Sequence, residues 1–305
     1  MLSVIIPIYN EESLIDELVI RITSTLKGIG ESYEIIFVDD GSSDKSVELL
    51  LKKRDEDTNI KIVSLSRNFG HQAALTAGLE YSKGDYITIL DGDLQDPPEL
   101  MAEMYSSLIT GEYDVAIGYR KKRNTDNKKR RVMTRIFHYI FSRISNLEDI
   151  EHTGHFSMMT RKAVDALLSM TEKSRYLPGL RSFIGFRQIK IEYTRQARSS
   201  GESKMKLRQL IRLAADAMFA FSRIPIRFCL TLGLSGVAIF LFVGVYVIVS
   251  KVAGWAPIGW SSTLISIYFL GSVQLTFLGI LGEYLFRIYK ESQNRPLYFV
   301  KEVFE

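Results

Sequence analysis

Cysteine is almost missing from this chain of 305 residues, with Cys229 standing alone. A single thiol excludes a disulfide framework within the chain and a cysteine-rich zinc site. Cys229 lies in an apolar run, where packing is its expected role. A basic stretch is missing ahead of the first apolar segment, Met1–Tyr9, which is also too short to cross a bilayer. That segment reads as a first buried strand rather than a secretory leader. Charge is missing from Phe228 to Ser250 and again from Val252 to Gly282. Elsewhere charged residues are frequent, 24% of the chain, alongside 46% hydrophobic residues. The mixture fits a soluble domain joined to a membrane part.

The first part alternates buried-strand runs with stretches of helix length. Strands are expected at Ser3–Tyr9, Tyr33–Val38, Ile60–Ser64, Asp85–Leu90 and Asp114–Gly118, with helices such as Glu11–Lys27 and Lys45–Lys53 between them. Continuous apolar strands separated by helices predict an α/β fold, a mostly parallel sheet with helices on both faces. Ligands of such sheets bind beyond the carboxyl ends of the strands. That rim carries Asn10-Glu11-Glu12, Asp39-Asp40-Gly41-Ser42 and Asp91-Gly92-Asp93. Asp91 and Asp93, one residue apart after a strand, form a carboxylate pair suited to Mg²⁺ or Mn²⁺ whose shell substrate phosphates complete. Surface turns also make Asp-x-Asp, so the three acidic strand ends together carry more weight than any one.

The second part is apolar. As a helix, Phe228–Ser250 would reach roughly 34 Å, enough for a bilayer core of about 30 Å. Gly254, Pro257 and Gly259 interrupt the start of the next run, so a second span is expected at about Ser261–Gly282. Trp255 and Trp260 fall in the connection, where interfacial aromatics belong. Arg223 and Arg227 precede the pair, Arg287, Lys290 and Arg295 follow it, and only Lys251 lies between. The positive-inside bias places both ends in the cytoplasm. The expected division is a cytoplasmic domain over 1–227, then a two-helix transmembrane hairpin and cytoplasmic tail over 228–305. Two basic amphipathic segments adjoin the spans: Met133, Ile136, Phe137, Ile140, Phe141, Ile144 and Leu147 on one, Leu207, Leu210, Ile211, Ala214 and Met218 on the other. With Arg120–Arg123 and Lys128–Arg131 nearby, they are read as helices lying in an interface of anionic lipids. A core-facing helix with a solvated face is the alternative. A nucleic-acid partner is not expected, because the spans already supply an anionic surface.

Four runs carry a family resemblance: Val4–Glu12, Val38–Asp44, Ser66–Gly70 and Asp91–Glu99. Together they resemble the family-2 glycosyltransferases, and more narrowly the polyprenyl-phosphate group that includes bactoprenol glucosyltransferases and dolichyl-phosphate mannose synthases. Gly279–Tyr289 and Arg295–Tyr298 are similar to the two-span bactoprenol branch. The resemblance implies a GT-A fold, a nucleotide-sugar donor, a divalent metal and a polyprenyl-phosphate acceptor such as undecaprenyl phosphate, at the bacterial inner membrane. It places Pro7, Tyr9 and Glu11 around the nucleotide base, and Asp39 with Asp40 at base and ribose. It places Asp91 and Asp93 at the metal, with Asp93 the better direct ligand, and Asp91 also at the donor. Arg198, Gly201, Ser203 and Lys204 match a basic Arg-x-x-Gly-x-Ser-Lys loop near the phosphates, where Arg198 and Lys204 would assist the leaving diphosphate and, with Ser203, bind the acceptor. A membrane-surface charge is the other reading of Arg198 and Lys204.

One departure stands out. The bactoprenol branch typically has Thr-Gly-Asp-Phe-Arg-Leu where this chain has Thr153-Gly154-His155-Phe156-Ser157-Met158. The position often assigned to the catalytic base is therefore His155. A phosphate monoester, with a second pKa near 6, needs positioning more than proton removal. His155 is a candidate for contact with the acceptor phosphate, for a base, or for a structural role. Of the other histidines, His71 is expected to face the site. A processive polysaccharide synthase is disfavoured, because neither tryptophan sits in a Gln-x-x-Arg-Trp motif. A degenerate, non-catalytic scaffold is disfavoured by the intact carboxylate pair. Sugar, lipid length and oligomeric state, a homo-oligomer included, stay open.

Overall fold

The computed structural model describes residues 1–120, 153–173, 175–194 and 260–305, with scattered positions between 231 and 253. Both amphipathic segments and the basic loop with Arg198, Gly201, Ser203 and Lys204 lie outside the described residues. Most of the expected first span does too. In chain order the described elements are β1 (Leu2–Ile8), α1 (Ile15–Ile29), β2 (Tyr33–Asp39), α2 (Ser46–Glu56), β3 (Ile60–Leu65), α3 (His71–Tyr81) and β4 (Tyr86–Ile89). A short 3₁₀ turn (Pro98–Leu100) leads into α4 (Met101–Ile109), β5 (Val115–Arg120) and β6 (Thr153–Thr160). Then come α5 (Arg161–Leu168), α6 (Leu177–Phe183), β7 (Gln188–Tyr193), α7 (Trp260–Ser292) and β8 (Val300–Phe304). The five expected strands are present, each shifted by a residue or two.

The eight strands form one sheet in the order β7-β5-β6-β4-β1-β2-β3-β8. Strands β1 to β4 are parallel, and β5 pairs in parallel with β7. Two strands run the other way: β6 against β4 and β5, and β8 against β3. The sheet is thus mixed. The reversal of β6 matters for the site. Its register pairs Ile89 with Ser157, so the start of β6 lies beside the carboxyl end of β4.

Alternation along the strands decides which helices cover which face. Leu2, Val4, Ile6 and Ile8 of β1, with Ile35 and Phe37 of β2, pack in a cluster with Ile15, Leu18 and Ile22 of α1 and Met101, Met104 and Leu108 of α4. Ile5, Ile36 and Val38 face the other way, toward Ala74, Leu75 and Ala77 of α3 and Val164 and Leu167 of α5. Both faces are buried, and the strands therefore read as unbroken apolar runs. Pro7 is tolerated in this central strand because β1 pairs with β4 only over Leu2–Ile5. The missing N–H falls beyond the end of β4.

The described residues fall into two compact units. The first holds residues 1–120 and 153–194 together with 295–305. The C-terminal segment, grouped with the spans in the sequence-based division, contributes β8 to the sheet. Ser66 N–H donates to Phe299 O at 2.9 Å, and the Tyr298 hydroxyl bonds Glu80. Within the second unit, α7 has 33 residues, about 50 Å at 1.5 Å per residue. Its segment Phe269–Ser292 has a mean hydropathy of 1.4 and is long and apolar enough to cross a membrane. Leu270, Leu275, Leu278, Leu281 and Ile288 are all exposed. A helix with apolar side chains around its circumference suits a bilayer or a packed partner.

Candidate active site

The carboxyl ends of β1, β2 and β4 meet on one rim. The loop after β1 turns at Asn10, whose φ of 53° is in the left-handed region that Asn tolerates. Asn10 N–H donates to Ser42 Oγ at 3.0 Å, and Ser43 N–H donates to Asn10 Oδ1 at 2.8 Å. Glu11 N–H reaches Ser46 Oγ at 3.1 Å. The loops after β1 and β2 are therefore one hydrogen-bonded unit, with Tyr9 at its exposed edge.

Asp39 and Asp40 are 2% and 4% exposed. Asp39 accepts from Ser42 N–H at 2.9 Å and from Ser64 Oγ at 3.0 Å. Asp40 accepts from Phe69 N–H at 2.7 Å and Gly70 N–H at 3.0 Å. Burial pushes the Asp40 carboxyl up, the two N–H bonds pull against it, and the Asp39 charge adds to the rise. Asp40 is a clamp on the 66–70 loop, with both carboxylate oxygens engaged. Gly41, at φ +73°, sits against that loop: a Cβ there would lie 2.7 Å from Arg67 C and Asn68 N. The loop delivers His71 as the first residue of α3.

Asp91-Gly92-Asp93 leaves the end of β4 across β1. A Cβ on Gly92 would lie 2.9 Å from Ile8 Cδ1 and 3.2 Å from Pro7 O, so a larger residue between the two carboxylates would press on β1. Leu94 follows at φ 54°, costly for a branched residue. Its burial in the core, together with a 3.2 Å bond from Gln95 N–H to Asp93 Oδ1, holds it there. Asp91 Oδ1 is buried with no hydrogen bond, and His71 Nε2 lies 3.4 Å from it. Burial drives the Asp91 carboxyl above its usual range; His71 opposes the rise, and Asp96 and Asp93 add to it. A buried, unbonded carboxylate oxygen beside a second carboxylate fits a divalent cation. Among the described residues no cluster of three or more metal-ligating side chains forms. Asp91 and Asp93 would therefore leave most of the shell to substrate oxygens and water. Asp96, fully buried, is bound by the Tyr193 hydroxyl and by Arg120 at 3.3 Å, which ties the loop to β5 and β7.

His155 lies across from this end of β4. Its ring is 4.8 Å from that of His71 and 6.5 Å from that of Tyr176. Gln72 fixes its proton. Leu177 N–H donates to Gln72 Oε1 at 3.0 Å, so the Gln72 amide nitrogen faces His155 Nε2 at 3.3 Å. The ring nitrogen must accept, and the imidazole proton is on Nδ1. Burial lowers the His155 pKa to about 3, with His71, Arg181 and Arg120 adding to the fall, so the ring is neutral at physiological pH. Gln72, Arg181 and Arg120 were not expected at the site. A cation within the apolar stretch Leu177–Ile184 was the available signal for Arg181.

An α/β sheet with acidic strand ends gathered around Asp-Gly-Asp fits a glycosyltransferase, and comparison with known proteins shows the family. Residues 3–168 match glycosyl transferase family 2. The chain belongs to that family. It is 36% identical over 302 residues to the uncharacterized glycosyltransferase YkcC of Bacillus subtilis (strain 168), covering 98% of this chain and 93% of that one. It is 33% identical over 301 residues to the bactoprenol glucosyl transferase of Shigella phage SfV, covering 98% of each. Among solved structures, glucosyl-3-phosphoglycerate synthase from Mycobacterium tuberculosis, in complex with Mn²⁺, UDP-glucose and phosphoglyceric acid, aligns with a TM-score of 0.50 at 18% identity. The alignment covers 72% of this chain and 77% of that one. The shared fold is a GT-A-like mixed sheet with helices.

Proposed function

We propose that this enzyme transfers one sugar from a nucleotide sugar, a UDP-linked hexose, to polyprenyl phosphate at the cytoplasmic face of a bacterial inner membrane. The observation that carries this reading is the Asp91–Asp93 pair at the carboxyl end of β4, with a buried, unbonded oxygen on Asp91. Relatives named bactoprenol glucosyl transferases, aligned over nearly the full chain, support the acceptor. The apolar exterior of α7 and the basic flanks support the membrane location.

The acceptor phosphate oxygen attacks the anomeric carbon, and the bond from that carbon to the nucleoside diphosphate breaks with inversion. The electron pair leaves on the diphosphate. No proton must be removed, because a phosphate monoester is largely dianionic at neutral pH. When bound by Asp91 and Asp93, Mg²⁺ or Mn²⁺ supplies positive charge for the diphosphate. The 39–46 segment, laced to Asn10 and Glu11, forms the floor for base and ribose beside Pro7 and Tyr9. Asp39 and Asp40 are assigned to shaping that floor, since their oxygens hold backbone and Ser64. Arg198 and Lys204 are assigned to the departing diphosphate, and Ser203 to the acceptor. His155, neutral with its proton on Nδ1, is suited to donate a hydrogen bond rather than to accept a proton.

Asp93→Asn should abolish transfer while leaving folding intact, because an amide is a poorer ligand for a hard cation than a carboxylate. The assay is mass spectrometry of the lipid product from undecaprenyl phosphate and a panel of nucleotide sugars. Near wild-type transfer by the variant at saturating metal would remove Asp93 from the metal site. Cysteine labelling at position 258 in intact cells, on a Cys229→Ser background, tests the orientation: reaction only after permeabilisation would contradict it.

A further inference from the structure

The run Arg295-Pro296-Leu297-Tyr298 has no part in the chemistry above, and it leads into Phe299, a large aromatic residue that is 57% exposed. A phenylalanine so exposed contributes little to a core, so what it touches decides its use. Its contacts gather at the carboxyl end of β3. The β3–β8 ladder slips there: Ser64 pairs with Glu302 and Leu65 with Val300, which leaves Lys301 as an extra residue. Such a bulge bends the strand that carries it and re-aims its side chains. Just past the bulge, Ser66 N–H donates to Phe299 O at 2.9 Å. The Phe299 ring lies 6.2 Å, centre to centre, from that of Phe69, tilted by 52°. One residue back, the Tyr298 hydroxyl bonds Glu80, near the end of α3.

The 66–70 loop is thereby held by two separate grips. Asp40, beside the floor for base and ribose, takes the main chain of Phe69 at 2.7 Å and of Gly70 at 3.0 Å. Phe299 takes the Phe69 ring and the Ser66 N–H. The Arg67 guanidinium, 4.5 Å from the centre of the Phe69 ring, adds a cation–π contact. Ser66, Arg67 and Asn68 are themselves exposed, so buried packing does not fix this stretch. A segment with few buried contacts opens readily when a tether is lost. Its shape is felt at two places. Gly41 lies against Arg67 and Asn68, and Gly70, at φ +96°, turns the chain into α3, whose first residue His71 stands 3.4 Å from Asp91.

We propose that Phe299 is a positioning residue for the nucleotide-sugar donor: through Phe69 it fixes the 66–70 loop against Asp40 and Gly41, and so sets the floor on which the nucleotide rests. It acts through the loop and on no reacting atom. The donor role rests on the nucleotide-sugar reading above; the hold of Phe299 on the loop does not.

The test uses the full-length protein in detergent, with UDP as the probe. Phe299→Ala should weaken UDP binding, read by calorimetry, by about twofold to tenfold, the span for losing one aromatic pair. In transfer from UDP-glucose to undecaprenyl phosphate the donor KM should rise by the same factor, with the acceptor KM held within about twofold. Hydrogen exchange should quicken over residues 66–72 and stay unchanged over α1. Phe299→Tyr, which keeps the ring, should restore all three readings. Phe69→Leu combined with Phe299→Ala should bind UDP no worse than the weaker single variant, because both remove one contact. Val303→Ala is the control: Val303 pairs with Val63 in the same strand and packs on the core, so its loss should lower stability and leave UDP affinity unchanged. Should Phe299→Ala fail to fold, Phe299→Leu carries the same comparison. Equal UDP affinity in wild type and Phe299→Ala, or an equal loss in Val303→Ala, would overturn the donor role and leave Phe299 as a brace for the loop. If the wild type binds no UDP while the loop still loosens in Phe299→Ala, the UDP reading fails and the donor role with it, and the hold on the loop stands.

Discussion

Gly41→Ala separates two costs that usually arrive together. At φ +73° an alanine would sit in the left-handed region, at about 1–2 kcal/mol. The new Cβ would also lie 2.7 Å from Arg67 C and Asn68 N. Those are backbone atoms, so relief requires the 66–70 loop to move, and overpacking of this kind costs about 1–3 kcal/mol. Gly30 is the control. It caps α1 at φ +82°, with Gly30 N–H donating to Leu26 O at 3.2 Å, and nothing lies within 4 Å of its would-be Cβ. Gly30→Ala therefore carries the dihedral cost alone. At roughly 2–4 °C per kcal/mol for a unit of this size, Gly30→Ala should lower Tm by about 2–8 °C and Gly41→Ala by about 4–20 °C. The assay is thermal unfolding of both full-length variants in one detergent. Gly41→Ala should also weaken donor binding, because displacing the loop held by Asp40 disturbs the floor beside Asn10 and Ser42. Equal Tm losses in the two variants, with donor KM unchanged, would refute the reasoning.

Glu34 should make the fold acid-sensitive. It is buried, which pushes its carboxyl up, but bonds from Ser3 Oγ at 2.6 Å, Lys83 N–H at 2.6 Å and the Lys61 ammonium at 3.0 Å outweigh that and leave it lowered. Its contribution is therefore present above the unfolded carboxylate range and lost as pH falls through the depressed folded value. Glu34→Gln should cost about 1.5–3 kcal/mol at pH 7 and much less at pH 3, read from urea unfolding at the two pH values. His155 acts in a different window. Its folded pKa of about 3 lies below the ordinary 6.5, so it favours the fold above pH 6.5 and that contribution drains away as pH falls toward 3. His155→Gln should flatten the Tm-versus-pH curve between pH 6.5 and 4; an unchanged slope would mean the ring is solvated. Deleting residues 300–305 should expose the β3 edge, lower Tm by roughly 10 °C and promote aggregation, as seen by light scattering; a monodisperse variant with unchanged Tm would contradict the pairing of β8.

The core was legible because both faces of the sheet are covered, which leaves Val4–Ile8 and Ile35–Val38 as apolar runs that need no long-range information. The acidic rim was legible for the same reason: Asp39, Asp40, Asp91 and Asp93 each follow such a run. Their division of labour was not. Asp40 is spent on Phe69 and Gly70, a contact across 30 residues that no local pattern announces. Strand direction was also hidden, because β6 reads the same forward and backward, and its reversal is what brings His155 to the end of β4. Arg181 was missed because a cation in an apolar helix is conspicuous only once its burial is seen. β8 was missed because a short edge strand with two adjacent exposed charges, Lys301 and Glu302, resembles a tail.

β8 has a consequence that depends on counting. It is bonded to β3, in the same sheet that β7 ends, so the chain leaves that sheet after Tyr193 and rejoins it at Val300. A path that starts and finishes on one side of a barrier crosses it an even number of times. A lone crossing by α7 would put β8 and β3 on opposite faces of the bilayer, which their ladder forbids. If α7 spans, a second crossing must precede it, and Phe228–Ser250 is the one other charge-free run of sufficient length before it. On the proposed membrane path, strand pairing would set the parity of the crossings without reference to charge, and inserting or deleting a single span should break the enzyme at its sheet edge before it reaches the catalytic rim.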